Sequence, residues 1–181
     1  MYAVIALFDK KTEEEIKGLW SGLRDEQISS YAYEVPARQP HLTIASYKQV
    51  EVPLFIETMQ AHYQNKECIP FVFSTLGTFI HSGTLFLAPT ISVELREFHL
   101  RHHFIFKQFD DDPASLYLPD FWVPHCTLAN RLTRGERLAA YEYCSEHIKT
   151  YNREITGVAF IHLVAPNDVR TIHKMTFKKS T

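Results

Sequence analysis

The chain writes one short motif twice: Pro-His-Leu-Thr-Ile-Ala at residues 40–45 and Pro-His-Cys-Thr-Leu-Ala at residues 124–129. Each copy reads as the start of a β-strand. Proline stands just ahead of the strand, where a missing N–H costs least, and aliphatic or β-branched residues follow. Side chains alternate across a strand, so His41 and Thr43 share one face while Leu42 and Ile44 share the other. In the second copy His125 and Thr127 share a face opposite Cys126 and Leu128. Any half-buried strand alternates, but alternation alone gives no reason to repeat the same His-x-Thr pair in matching positions.

The rest of the chain supplies each motif with similar surroundings. Residues 2–8 form an apolar run expected as a strand covered on both faces, not as a signal peptide. Thr12 and Glu15 read as a capping box, with Ile16, Leu19, Trp20 and Leu23 at helical spacing behind it. A strand is expected over residues 29–36, then the first motif strand over 41–48 and a helix opening at Pro53 with Phe55 and Met59 on its buried face. Strands follow at 69–75, 78–80 and 84–88, the last two joined by a His-Ser-Gly turn. Ile91, Leu95, Phe98, His102, Ile105 and Phe109 predict a long amphipathic helix that stops at the acidic run before Pro113. The second motif strand, a capping box at Thr133 and Glu136, a helix with Leu138, Tyr141 and Cys144 inward, and a terminal hairpin complete the order.

Each motif strand therefore has a helix behind it, and the two motifs stand 84 residues apart, close to half the chain. The pattern predicts an α+β fold of two pseudo-symmetric lobes, with mostly antiparallel sheets and flanking helices around a central cleft. Residues 1–181 are expected to form a single domain of two intertwined lobes, because no Pro/Gly/Ser linker divides them.

A net charge of −2 gives no global attraction to nucleic acid or anionic membrane, so phosphate recognition must be local. No apolar stretch approaches a membrane span. The three cysteines lack metal-ligand spacing, and Cys126, on the apolar face of its strand, is expected as a small buried hydrophobe in a soluble, reduced, cytoplasmic protein.

If the motif strands meet across the lobe interface, two imidazoles and two hydroxyls converge. Histidine titrates near neutrality, so one ring can act as base while the other acts as acid, as displacement at phosphorus requires. Threonine hydroxyls one step along each strand can bond the phosphoryl oxygens as charge develops on them.

With these residues the chain resembles the two-histidine phosphoesterase superfamily, which includes the RNA 2′,3′-cyclic phosphodiesterases also called bacterial 2′-5′ RNA ligases. The resemblance implies a bilobal fold, a metal-independent site needing no cofactor, and 2′,3′-cyclic phosphate or related nucleotide or RNA-end phosphodiester substrates. It implies no membrane and no obligate protein partner. Carried over by position, the catalytic residues are His41 and His125, with His125 as base and His41 as acid in hydrolysis. Thr43 and Thr127 are the phosphate-binding hydroxyls. Members of the RNA type place an arginine five positions after the second histidine. Here Asn130 stands there with Arg131 next to it, and Arg131 is expected to take part in substrate binding. A non-catalytic nucleotide- or RNA-binding module is the alternative.

Tyr47, two residues beyond Ala45, is expected to line the cleft and stack on a base. Phe121 and Trp122 are weaker candidates for the same role, and Arg38 and Arg131 are candidates for local positive charge on a phosphate. His99 and His103 have the spacing of some zinc ligands but lack a third partner, so structural roles are expected for them and for His102. His162 and His173 are expected to pair across the last hairpin.

Overall fold

A computed structural model describes residues 1–150 and 152–179. The elements are β1 (Tyr2–Phe8), α1 (Lys10–Asp25), a 3₁₀ turn at Tyr31–Tyr33, β2 (His41–Tyr47), α2 (Val52–Tyr63), β3 (Ile69–Phe71), β4 (Phe73–Thr78), β5 (Leu85–Pro89), α3 (Val93–Ile105), a second 3₁₀ turn at Lys107–Phe109, β6 (Cys126–Ala129), α4 (Arg134–His147), β7 (Arg153–Ala165) and β8 (Asp168–Thr176). Two antiparallel sheets result. The larger runs β2-β1-β7-β3 with β8 added to β7, and the smaller runs β4-β5-β6. The segment β1-α1-β2-α2 matches β5-α3-β6-α4, each with a helix between two adjacent antiparallel strands. Both motif strands, β2 and β6, are edge strands of their sheets.

β1 is the inner strand between β2 and β7, and its side chains are buried on both faces. Val4, Ala6 and Phe8 enter the main core with α1 and α2, while Ala3, Ile5 and Leu7 form a second apolar layer with Ala159 and Ile161. The main core runs continuously from Leu19 and Trp20 of α1 to Leu85 and Leu128 of the smaller sheet.

Several local expectations are corrected. Asp9, not Thr12, caps α1: its carboxylate accepts from the Thr12 backbone N–H at 2.9 Å and from the Thr12 hydroxyl at 2.7 Å. Residues 29–36 are not a strand. Ser29 accepts from the Tyr31 N–H, and Gln27 and Ala37 adopt φ of 58° and 53°, so local bonds curl the chain before and after the 3₁₀ turn. Of the strand expected at 78–80 only Thr78 is in a strand, as the last residue of β4. The turn beyond it uses Gly83 at φ 63°, where a Cβ would stand 2.6 Å from the Leu132 carbonyl oxygen.

The long helix starts two residues later than expected, capped by Ser92, which leaves Ile91 exposed. α4 has the expected Thr133–Glu136 capping box but buries Ala140 and Cys144, leaving Leu138 and Tyr141 exposed. Its orientation follows from contact with α1, where Gly22 has no Cβ and the Tyr143 hydroxyl occupies that space. In the last hairpin His173 lies opposite Phe160. His162 lies opposite Arg170 and stacks on Tyr2 at 4.3 Å. Among the described residues no helix is long and apolar enough to cross a membrane.

Candidate active site

The two edge strands come together where the lobes meet. The Cys126 thiol lies within reach of the His41 backbone N–H, and a charge on His125 opposes protonation of His41. The two histidines are held alike: Nδ1 of His41 lies 2.7 Å from the Gln39 carbonyl oxygen, and Nδ1 of His125 lies 2.7 Å from that of Val123. A carbonyl only accepts, so each ring carries its proton on Nδ1 when neutral and leaves Nε2 free to accept a proton. Burial lowers the pKa of both rings. His41 is brought down to about 4, chiefly by desolvation against the opposing Gln39 carbonyl, with Arg38 and His125 adding to the fall. His125 is lowered by desolvation while the Val123 carbonyl pulls the other way.

The threonines are held by a crossed arrangement. Thr127, in the second half, lies beside the hydroxyl of Tyr31, and its carbonyl accepts from Trp20 Nε1 at 3.3 Å. Thr43, in the first half, lies beside the hydroxyl of Tyr117, and its carbonyl accepts from Trp122 Nε1 at 2.9 Å. Each half therefore clamps the other half's motif strand with one tryptophan and one tyrosine. The chain's two tryptophans are both used in this way.

β2 does not alternate regularly to its end. Val4 pairs with Ala45 and Ile5 with Thr43, which leaves Ile44 as an extra residue in a β-bulge. Its carbonyl accepts instead from Nε2 of His99 at 3.1 Å and from Nε2 of His103 at 3.2 Å. Beyond the bulge the faces exchange: Ser46 turns to the cleft and Tyr47 to the core. Tyr47 is 1% exposed, and its hydroxyl bonds Nε2 of His102, whose Nδ1 bonds the Tyr63 hydroxyl. The expected base-stacking role of Tyr47 is therefore corrected; it is a core residue.

Arg131 is corrected as well. It leaves β6 at φ 57°, which turns its side chain away to an ion pair with Glu34, and it stays 66% exposed. Asn130 is occupied locally, its Oδ1 accepting from the Thr84 hydroxyl at 2.8 Å and the Arg131 N–H at 2.7 Å. Trp122 is a clamp, stacked on His99 at 3.7 Å, and Phe121 is exposed. His99, His102 and His103 bond carbonyls and tyrosine hydroxyls. Among the described residues no three His, Cys, Asp or Glu gather as metal ligands would.

A cleft of about 470 Å³ opens at His41, Thr43 and Ser46 and is bordered by Tyr31, Tyr117 and Arg38. His125 and Thr127 lie outside its lining, on the opposing strand, with the His125 ring 4.8 Å from Phe79 and 5.4 Å from Phe86. Tyr31 joins the two sides, facing the cleft while its hydroxyl lies beside Thr127. Arg38 donates from Nη1 to the Tyr31 hydroxyl at 2.7 Å and stacks over that ring at 4.1 Å. Tyr31 and Tyr117 escape a reading by periodicity, since one sits in a turn that alternates like a strand and the other in a loop.

The family model described as the 2′-5′ RNA ligase superfamily matches residues 9–166. No curated protein sequence matches the chain. Among solved structures, E. coli LigT complexed with 3′-AMP superposes with a TM-score of 0.65 at 11% identity, covering 97% of each chain. TT0787 of Thermus thermophilus superposes with a TM-score of 0.64 at 13% identity, covering 97% of this chain and 96% of its own. At these identities the likeness is one of fold.

Proposed function

Because the chain belongs to the 2′-5′ RNA ligase superfamily, we propose that its cleft hydrolyses 2′,3′-cyclic phosphate or related 2′-5′ nucleotide and RNA phosphodiesters by paired-histidine acid–base catalysis in the cytoplasm. The observation that carries this reading is the matched anchoring of His41 and His125 through Nδ1, which leaves an Nε2 on each side of the lobe interface. The phosphodiester sits between the rings. One Nε2 takes the proton of the attacking water as its oxygen bonds phosphorus. The other gives a proton to the ribose oxygen as the P–O bond breaks. His125 acts as base and His41 as acid in this direction, and the roles exchange in ligation. The Thr43 and Thr127 hydroxyls donate to the non-bridging oxygens as their charge grows.

Arg38, being donor-only, bonds the Tyr31 oxygen and holds that ring at the cleft beside Thr127. Two imidazoles suffice for the proton transfers, so the reaction proposed needs neither metal nor cofactor. The 3′-AMP held by the E. coli relative supports a nucleotide phosphate as ligand.

The test is hydrolysis of the four nucleoside 2′,3′-cyclic phosphates with EDTA present. His41→Ala and His125→Ala are each expected to lose at least about 10²-fold in kcat, the lower end for a positioned acid or base. Full turnover in the double variant refutes the reading. A second reading, a nucleotide-binding module without turnover, is favoured by the diversion of Arg131 to Glu34. Binding of 3′-AMP with no hydrolysis by the native chain, kept in both histidine variants, decides for it.

A further inference from the structure

The segment 110–125, which leads from the second 3₁₀ turn into β6, is laid along β2 from end to end. Asp111 accepts from the Lys48 and Gln49 N–H groups at 2.9 and 2.6 Å, the Ser115 hydroxyl meets that of Ser46 at 3.2 Å, and Trp122 Nε1 reaches the Thr43 carbonyl. Between these points strand and segment face each other with two carbonyl oxygens, those of Ile44 and Tyr117, which repel. His99 of α3 stands between them. Its Nε2 lies 3.1 Å from the Ile44 oxygen and 2.9 Å from the Tyr117 oxygen. Both oxygens only accept, so Nε2 carries a proton and shares it between strand and segment.

Everything this ring holds leads to Thr43. Ile44 is the bulged residue that follows Thr43 directly. The Tyr117 hydroxyl lies beside Thr43. Trp122, which donates to the Thr43 carbonyl at 2.9 Å, lies flat on the buried His99 ring at 3.7 Å and 3°. Three restraints on one cleft residue therefore run through one imidazole. Its neighbour His102 is used differently, with both ring nitrogens given to the Tyr47 and Tyr63 hydroxyls in the core. His103 adds a second donor to the Ile44 oxygen at 3.2 Å, so the bulge keeps one when His99 is replaced.

We propose that His99 is the positioning residue for Thr43: its shared N–H fixes the segment 110–125 against the β2 bulge and so sets the direction of the Thr43 hydroxyl in the cleft. The inference rests on the phosphodiesterase reading, in which that hydroxyl donates to a non-bridging oxygen, and it adds a residue that has no contact with the substrate. A hydroxyl dipole stabilises the transition state only when aimed at the place where charge grows, and a displacement of about 1 Å costs up to about a hundredfold in rate.

The experiment is a double-mutant cycle read on adenosine 2′,3′-cyclic phosphate. His99→Phe keeps a ring against Trp122 and removes the shared donor, whereas His99→Gln returns an amide N–H near the Nε2 position. His99→Phe is expected to lower kcat about tenfold with KM within about twofold, because the lost interaction belongs to the transition state. His99→Gln should recover most of that loss. Thr43→Val should cost about a hundredfold, and in its background His99→Phe should cost less than about twofold, since no hydroxyl is left to aim. Losses that multiply in the double variant, or a His99→Gln no better than His99→Phe, overturn the proposal and leave His99 a support of the fold. Should His99→Phe fail to fold, His99→Asn, polar but too short to reach both carbonyls, carries the same expectation.

Calorimetry with adenosine 3′-phosphate separates this from catalysis. His99→Phe should weaken binding about threefold in the native background and leave it unchanged in Thr43→Val. That result without turnover of any cyclic phosphate refutes the catalytic reading and leaves the positioning of Thr43 standing. Turnover that His41→Ala and His125→Ala abolish, with losses that multiply in the cycle, does the reverse.

Discussion

Binding of a phosphate-bearing ligand should raise the pKa of His41 steeply. In the free cleft that ring titrates at about 4, because burial, helped by the charges of Arg38 and His125, outweighs the Gln39 carbonyl. The displacement from an ordinary histidine is roughly 2.5 pH units, or about 3.4 kcal/mol against the imidazolium. At pH 7 only about one ring in a thousand would then hold the proton an acid must deliver. A phosphate monoanion about 4 Å away supplies about 4 kcal/mol at the effective dielectric of a partly buried pair, which offsets the deficit.

The assay is a histidine NMR titration between pH 5 and 8, with and without adenosine 3′-phosphate. The free protein should show no titration of His41 in that window, and the complex should show one. Arg38→Met should raise the free value by less than about one unit, since desolvation is the larger cause. A His41 that titrates near 6.5 in the free protein, or one that ligand leaves unmoved, refutes the reasoning.

Two further outcomes follow from the same contacts. Tyr31→Phe and Tyr117→Phe each remove the hydroxyl that lies beside one motif threonine and should lower kcat about five- to tenfold, the worth of one hydrogen bond. Combined with Thr127→Val, the Tyr31→Phe loss should be strongly non-additive; additive losses would show that the pair does not act together. Stability should fall in acid. His41, His99, His102 and His103 are held neutral in the folded chain, with His99 at about 3, mainly through burial. Below about pH 6.5 the unfolded chain binds more protons than the folded one, so this stability is complete above that pH and is lost as pH falls toward the folded values. His99 alone accounts for about 2 kcal/mol between pH 7 and pH 5. Urea midpoints that stay level over that range would contradict it.

Much of the architecture was legible because it is local. Alternation located both motif strands, helical spacing located the buried faces of α1 and α2, and the Thr133–Glu136 box located the start of α4. These signals depend on residues within one or two turns of each other. The pairing of the two His-x-Thr motifs needed only their repetition, and the paired-lobe α+β fold follows from the elements around them.

The corrections at the site come from contacts distant in sequence. Ile44 is an extra residue in β2 because His99 and His103, on a helix more than fifty residues away, supply donors for its carbonyl. That one bulge reverses every side chain after it, which sends Tyr47 into the core and Ser46 to the cleft. Arg131 is drawn out by Glu34, and α4 is turned by the space that Gly22 leaves for Tyr143. The sequence by itself supplied the parts of the proposed chemistry, since two imidazoles and two hydroxyls in repeated strands offer an acid, a base and an anion site. Only the tertiary structure decided which other groups surround them, because a bulge and a crossed clamp exist only once distant segments pack.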